Sequence, residues 1–318
     1  MSATATRLEV PGHGAEDVVV EPSGDALTGT EDGAVVRVSR DGSLTEVGRT
    51  GGRPLGLELL DEDRLVVADA ERGLLALDRR DGRVEVLATE AAGRPIGVCN
   101  NAAVGAAGEI WFSDSSAVHP LARWRADLVE RTASGRLLCR RADGDVEEHL
   151  SGLDFANGVA LAADGSFVVV AETGARTVRR LWLTGDRAGT DDLLVADLPG
   201  YPDNVSLGSD GLVWVALASP PVAALELLRA HAPAGLRRAL RRVPPALLPA
   251  PIRQVHAQAY DATGRLVHDV VLPPHDFHMV TGVREHDGWL WLSSLEESAL
   301  LLVEGALDAP PGAVVGPV

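Results

Sequence analysis

Hydrophobic residues along this chain fall in short runs rich in Val, Leu and Ala, and Asp-Gly or Ser-Gly pairs break the runs at close intervals. That pattern predicts strands joined by tight turns over most of the length. Residues 154–173 show the unit. A first strand runs through Phe155-Ala156-Asn157-Gly158-Val159-Ala160-Leu161, Asp164-Gly165 makes the turn, and Phe167-Val168-Val169-Val170-Ala171 returns. The same frame, with an eight-residue offset, pairs Glu16 with Gly24, Leu55 with Asp63, Asn100 with Gly108, Asn157 with Gly165 and Asp203 with Gly211. A sixth copy, Thr281 with Gly288, is one residue shorter. Two further strands follow each hairpin, such as 34–38 and 43–47 in the first, which is the content of one propeller blade.

The expected fold is therefore all-β, a six-bladed β-propeller forming a single domain over residues 1–318. Two packed β-sandwiches would not explain one turn register repeated six times. Residues 6–10 alternate and are placed to complete the last blade, tying the two ends of the ring together. Two stretches break the pattern. Residues 115–132 are too long for a turn, and residues 218–253 form a helical lid insertion in blade 5, with apolar positions at helical spacing over 222–231 and 235–243. Each follows the second strand of its blade, so both are expected to overhang the mouth at which the first strands begin.

First strands line the central channel of a propeller, so the residues opening them should meet around one axis. These are Glu16, Leu55, Asn100, Asn157, Asp203 and Thr281. Two carboxylates and two carboxamides from four blades, with no thiol or imidazole among them, suit a hard cation with many oxygen ligands. That cation is Ca²⁺ rather than Zn²⁺. The predicted metal ligands are Glu16, Asn100, Asn157 and Asp203, with one ion on the channel axis.

Composition narrows the function classes. The formal net charge of −17 argues against a nucleic-acid or anionic-membrane partner. All side-chain positive charge is arginine, since the chain contains no Lys, which excludes Schiff-base chemistry. No long apolar run or leader-like segment is present, so the expected location is cytoplasmic. Cys99 and Cys139 read as two reduced thiols. The second insertion is locally basic and is expected to serve as a lid or as a homodimer contact.

The chain resembles the calcium-dependent six-bladed propellers of the gluconolactonase and regucalcin, diisopropyl fluorophosphatase, and strictosidine synthase-like families. The resemblance rests on Gly52-Arg53-Pro54-Leu55-Gly56-Leu57, Glu109-Ile110-Trp111-Phe112-Ser113-Asp114, Phe155-Ala156-Asn157-Gly158 with Glu172-Thr173, and Leu198-Pro199-Gly200-Tyr201-Pro202-Asp203-Asn204. It implies that Glu16, Asn100, Asn157 and Asp203 hold calcium and that Asp203 is also the catalytic base or nucleophile. Three positions depart from the family pattern. Asn101 stands where relatives carry an acid, Leu55 where paraoxonase-like members carry His, and Thr281 near the catalytic glutamate of plant strictosidine synthases. The implied activity is a calcium-dependent, lactonase- or esterase-like hydrolase acting on a partly hydrophobic small molecule. Leu55, Asn101, His119, Trp124 and Thr281 are expected to line its pocket. A biosynthetic enzyme forming or rearranging C–C or C–N bonds, and a non-catalytic propeller with structural calcium, remain alternatives.

Overall fold

The computed structural model describes residues 4–241, 243–244, 248, 250–272 and 276–308. Six four-stranded antiparallel sheets radiate from one channel as a six-bladed β-propeller. Their inner strands are Val19–Val20, Pro54–Leu59, Cys99–Val104, Ala156–Leu161, Pro202–Leu207 and Val280–His286. The sixth blade takes its outer strand from the start of the chain, Thr4–Glu9, which pairs antiparallel with Ala299–Glu304 and closes the ring as expected. A small ladder of Glu90–Ala91 with Arg94–Pro95, between blades 2 and 3, was not anticipated.

The core consists of six apolar clusters, one between each pair of adjacent blades. Strand periodicity explains this arrangement. Successive side chains point to opposite faces, and in a ring both faces of a blade are covered by neighbours. Thus Val67 packs toward Leu27 and Val35 of blade 1, while Val66 packs toward Ile110 and Phe112 of blade 3. Trp111 faces Val168 and Leu181, and Val169 faces Val215 and Tyr260. Trp214 meets Val283 and Leu290, and Trp291 meets Val36. This double-sided burial is why the second strands read as unbroken apolar runs.

The two insertions carry helix α1 (Trp124–Glu130), helix α2 (Ala223–His231) and helix α3 (Ala234–Leu240). Helix α1 packs against both α2 and α3, so the insertions form one canopy over the channel mouth. Part of the expected helix over 235–243 falls on Arg242, outside the described residues.

Candidate active site

The inner strands of blades 2 to 6 share an irregularity at their first residues. In blade 3 the ladder slips between Cys99 and Ala102, in blade 4 between Ala156 and Val159, and in blade 5 between Pro202 and Val205. Blades 2 and 6 slip between Pro54 and Gly56 and between Val280 and Gly282. Every slip contains one of the register residues. A bulge re-aims a side chain that regular pleating would send into the blade interface. In blade 1 residues 15–18 form no strand, and side chains hold their carbonyls instead. Thr281 Oγ1 donates to Glu16 O at 2.6 Å, Ser293 Oγ to the same oxygen at 2.8 Å, and Thr28 Oγ1 to Asp17 O at 2.6 Å.

The next residues of the six strands form a second layer, Asp17, Gly56, Asn101, Gly158, Asn204 and Gly282, in which polar side chains alternate with glycine. The glycines are required by space. A Cβ on Gly56 would lie 2.5 Å from the Asn101 Cα, one on Gly158 2.0 Å from the Val205 nitrogen, and one on Gly282 2.2 Å from Ser293 Oγ. Through the gaps the polar side chains cross-link the ring. Asn101 Nδ2 donates to Asp17 Oδ2 at 3.1 Å, Val159 N to Asn101 Oδ1 at 2.8 Å, and Leu57 N to Asp17 Oδ2 at 3.0 Å. Asn204 Nδ2 reaches Glu16 Oε2 at 3.2 Å.

Above this layer opens a partly enclosed cavity. Glu16, Leu55, Asn100, Asn157 and Asp203 lie in its lining. Trp124, Leu128, Phe155, Met279 and Leu295 are among the apolar residues of its walls, and Val222, Leu225 and Leu248 of the second insertion join them. Phe155 and Met279 hold left-handed backbone conformations, with φ of 63° and 53°. These are unusual for bulky residues and typical of functional sites.

The electrostatics of the lining are unbalanced. Burial first, then repulsion from Asp203 and Asp17, pushes the Glu16 carboxyl well above its ordinary range, against the pull of Arg53 and Asn204. Burial pushes Asp203 up to about 7, and it pushes Asp17, one layer down, up to about 6. Asn100 Oδ1, Asn157 Oδ1 and Asp203 Oδ1 are buried without a hydrogen-bond partner. Buried polar atoms are ordinarily paired, so three such acceptors in one lining call for a bound positive group.

A profile described as the SMP-30/Gluconolactonase/LRE-like region matches residues 27–225. The chain belongs to that family. Residues 1–38 also match a profile described as strictosidine synthase-like, N-terminal. This SMP-30/gluconolactonase-like chain is 40% identical over 171 residues to Protein STRICTOSIDINE SYNTHASE-LIKE 10 of Arabidopsis thaliana, covering 53% of this chain and 46% of the plant protein. It is 34% identical over 215 residues to the adipocyte plasma membrane-associated protein of Rattus norvegicus, covering 62% and 57%. The matched region thus spans about half the length of these relatives. Among solved structures, a gluconolactonase from Xanthomonas campestris superposes with a TM-score of 0.68 at 16% identity, over 95% of this chain and 89% of that one. A calcium-binding regucalcin from Agrobacterium tumefaciens gives 0.66 at 14%, over 98% and 96%. At these identities the two structures support the fold.

The donor set fits a hard dication. Two carboxylates supply charge, two carboxamides supply neutral oxygens, and the unpartnered atoms are all oxygens. Among the described residues no group of three or more His, Cys, Asp or Glu side chains is arranged to hold a metal by itself, so the carboxamide oxygens are part of any donor set here.

Three residues expected in the pocket are not part of its lining. Asn101 lies in the second layer, because the bulge sends it toward Asp17. Thr281 spends its hydroxyl on the Glu16 carbonyl. His119 turns away under helix α1, where its Nε2 meets Glu130 Oε2 at 2.9 Å. Leu55 and Trp124 do line the cavity. Sequence reasoning missed Thr173. Its Oγ1 accepts from Asn157 Nδ2 at 3.2 Å and donates to Pro202 O at 2.8 Å, which turns the Asn157 Oδ1 free of that contact. Its only signal was its place in the Glu172-Thr173 pair that carries part of the family resemblance.

Proposed function

We propose that the chain is a calcium-dependent hydrolase of an apolar lactone or ester, with Asp203 as general base or nucleophile. One observation carries the reading. The unpartnered buried oxygens of Asn100, Asn157 and Asp203 belong, with Glu16, to the lining of one apolar-walled cavity. Glu16, Asn100, Asn157 and Asp203 would hold the cation, which when bound supplies Lewis-acid polarisation of a carbonyl oxygen. Asp203, which the cation would hold ionised, takes the proton of an attacking water or attacks directly. Asn100 and Asn157 contribute oxygens without charge, which leaves the site electrophilic.

The walls set the substrate class. Thr173, Ser219 and Arg125 are the polar side chains of the lining outside the four, apart from Tyr201, whose hydroxyl already donates to Glu226 Oε1 at 2.8 Å. A polyhydroxylated sugar lactone would leave hydroxyls buried without partners, at roughly 1–3 kcal/mol each. An alkyl or aryl substituent would gain about 25 cal/mol per Å² buried. The names gluconolactonase and calcium-binding regucalcin lend chemistry and cation to this reading by likeness of fold. Amine–aldehyde condensation gains no support, since Thr281 offers no acid and its hydroxyl is engaged.

The test is a calcium-supplemented screen of aliphatic lactones, aryl esters and organophosphates. Asp203→Asn keeps the oxygen and the shape, so activity should fall by at least about 10² while stability in excess calcium holds. Glu16→Gln should instead weaken calcium binding and recover at high calcium. If both variants lose calcium and stability together yet retain activity, the cation is structural and the hydrolytic reading fails.

A further inference from the structure

The canopy carries an outer surface that its inner role leaves unexplained. Helix α2 turns Leu225 to the cavity and buries Arg229, while Ala223, Ala224, Leu227, Ala230 and His231 are exposed. These exposed positions share one helical face, and none carries an acidic or guanidinium group, whereas a solvated helix normally presents charge there. Leu227 is 64% exposed, Val118 52%, Leu236 51% and Ile252 48%. All four lie on the two insertions, whereas the next most exposed, Val86 at 47%, Leu193 at 45% and Leu44 at 43%, sit singly on the outer strands of three different blades.

Charge separates the same surface from the rest of the molecule. The insertions contain nine arginines against Asp127, Glu130 and Glu226. Arg229 is buried against Asp154, and Arg125 and Arg131 pair with Glu296 and Asp154 of the ring, which leaves the remaining six as the basic character of this face in a chain of −17. Arg123, Arg131, Arg238 and Arg253 are exposed, and Arg238 and Arg241 share the single carboxylate of Glu130. The whole-chain charge does not govern what this face meets, because at physiological salt fields decay over about 8 Å. A second copy docked canopy to canopy would set like charges against each other. An anionic surface with an apolar interior matches both properties.

We propose that the outer face of the canopy docks on an anionic lipid bilayer, with Val118, Leu227, Leu236 and Ile252 entering the interface and the exposed arginines meeting lipid phosphates. The attachment is peripheral, as no helix among the described residues is long and apolar enough to cross a membrane. The apolar cavity lies beneath the same insertions, so a lipid-dissolved substrate would enter it without crossing water. The inference rests on the canopy alone and stands whether or not the hydrolytic reading holds.

The test is co-sedimentation of the full chain with vesicles of phosphatidylcholine and with vesicles of equimolar phosphatidylcholine and phosphatidylglycerol. The expected result is binding at least about tenfold tighter to the anionic vesicles, weakening with added salt. Leu227→Ser combined with Leu236→Ser should reduce that binding by about tenfold or more at an unchanged melting temperature. Ile252→Ser serves as a second, independent variant. No binding, equal binding to both vesicle types, or binding indifferent to both sets of variants overturns the proposal. So does a wild-type dimer that the leucine variant converts to monomer, which would assign the face to a second copy.

Discussion

The propeller ring and the canopy above it are held together by different forces. The ring is six apolar clusters and continuous strand ladders, with Leu57, Leu75, Val168 and Trp291 essentially inaccessible. The canopy is three helices of seven, nine and seven residues, too short to persist alone. It is pinned by a few polar contacts. Arg229 reaches Asp154 Oδ2 at 2.5 Å, Gly174 O at 2.8 Å and the Leu128 carbonyl. Glu130 gathers His119, Arg238 and Arg241. Val222 N meets the Tyr201 hydroxyl at 3.2 Å. Rigid packing therefore positions the candidate ligands, and a separately anchored layer supplies much of the substrate wall. Chemistry and specificity can vary independently in such a molecule.

The largest expected effect sharpens this contrast at the ring. Without a cation, the raised Asp203 and Glu16 carboxyls favour the protonated state in the folded protein. The folded state then binds more protons than the unfolded one between 3.8 and about 7, so apo stability falls as pH rises through that window. Calcium reverses the loss by favouring both carboxylates. Differential scanning calorimetry should show saturating calcium raising the melting temperature by roughly 8 °C at about pH 8, and by much less near pH 5. A shift independent of pH would remove Glu16 and Asp203 from the cation site.

At the canopy, Arg229→Met should cost about 3 kcal/mol, because Asp154 is left buried with only Arg131, at 3.3 Å, as a charge partner. Limited proteolysis should then cut within 223–240 before the blades. Simultaneous cleavage throughout would show that ring and canopy unfold as one unit. The smallest effect returns to the ring. Thr173→Val removes the acceptor that turns Asn157 while keeping the shape, and calcium affinity by calorimetry should fall about tenfold. Thr173→Ser should restore it, and equal affinity in all three proteins would reduce Thr173 to wall packing.

Much of the ring was legible because a strand repeat leaves two marks in sequence, the turn residues and the period. Glu16, Leu55, Asn100, Asn157 and Asp203 could be brought to one lining from register alone, since equivalent residues of a closed ring must meet. The pocket wall was less legible. His119 and Asn101 are polar residues near the right mouth, but a helix packing direction took one away and a bulge turned the other down. Tyr201 and Met279 gave no periodic signal, and Phe155, read as opening a strand that begins at Ala156, has its aim set by a φ of 63°.

Local chemistry determined the strands, the turns and the six equivalent positions, because each depends on residues a few places apart or on a fixed repeat. Only the tertiary structure decided which of those side chains face the cavity. The register slips at Leu55, Asn100, Asn157, Asp203 and Thr281 accompany a second layer in which Gly56, Gly158 and Gly282 leave no room for a Cβ. The aim of Asn157 depends on Thr173, on the adjoining strand, and the pairing of Asp154 with Arg229 spans 75 residues. Contacts of that kind have no period, so they exist only once the blades are packed.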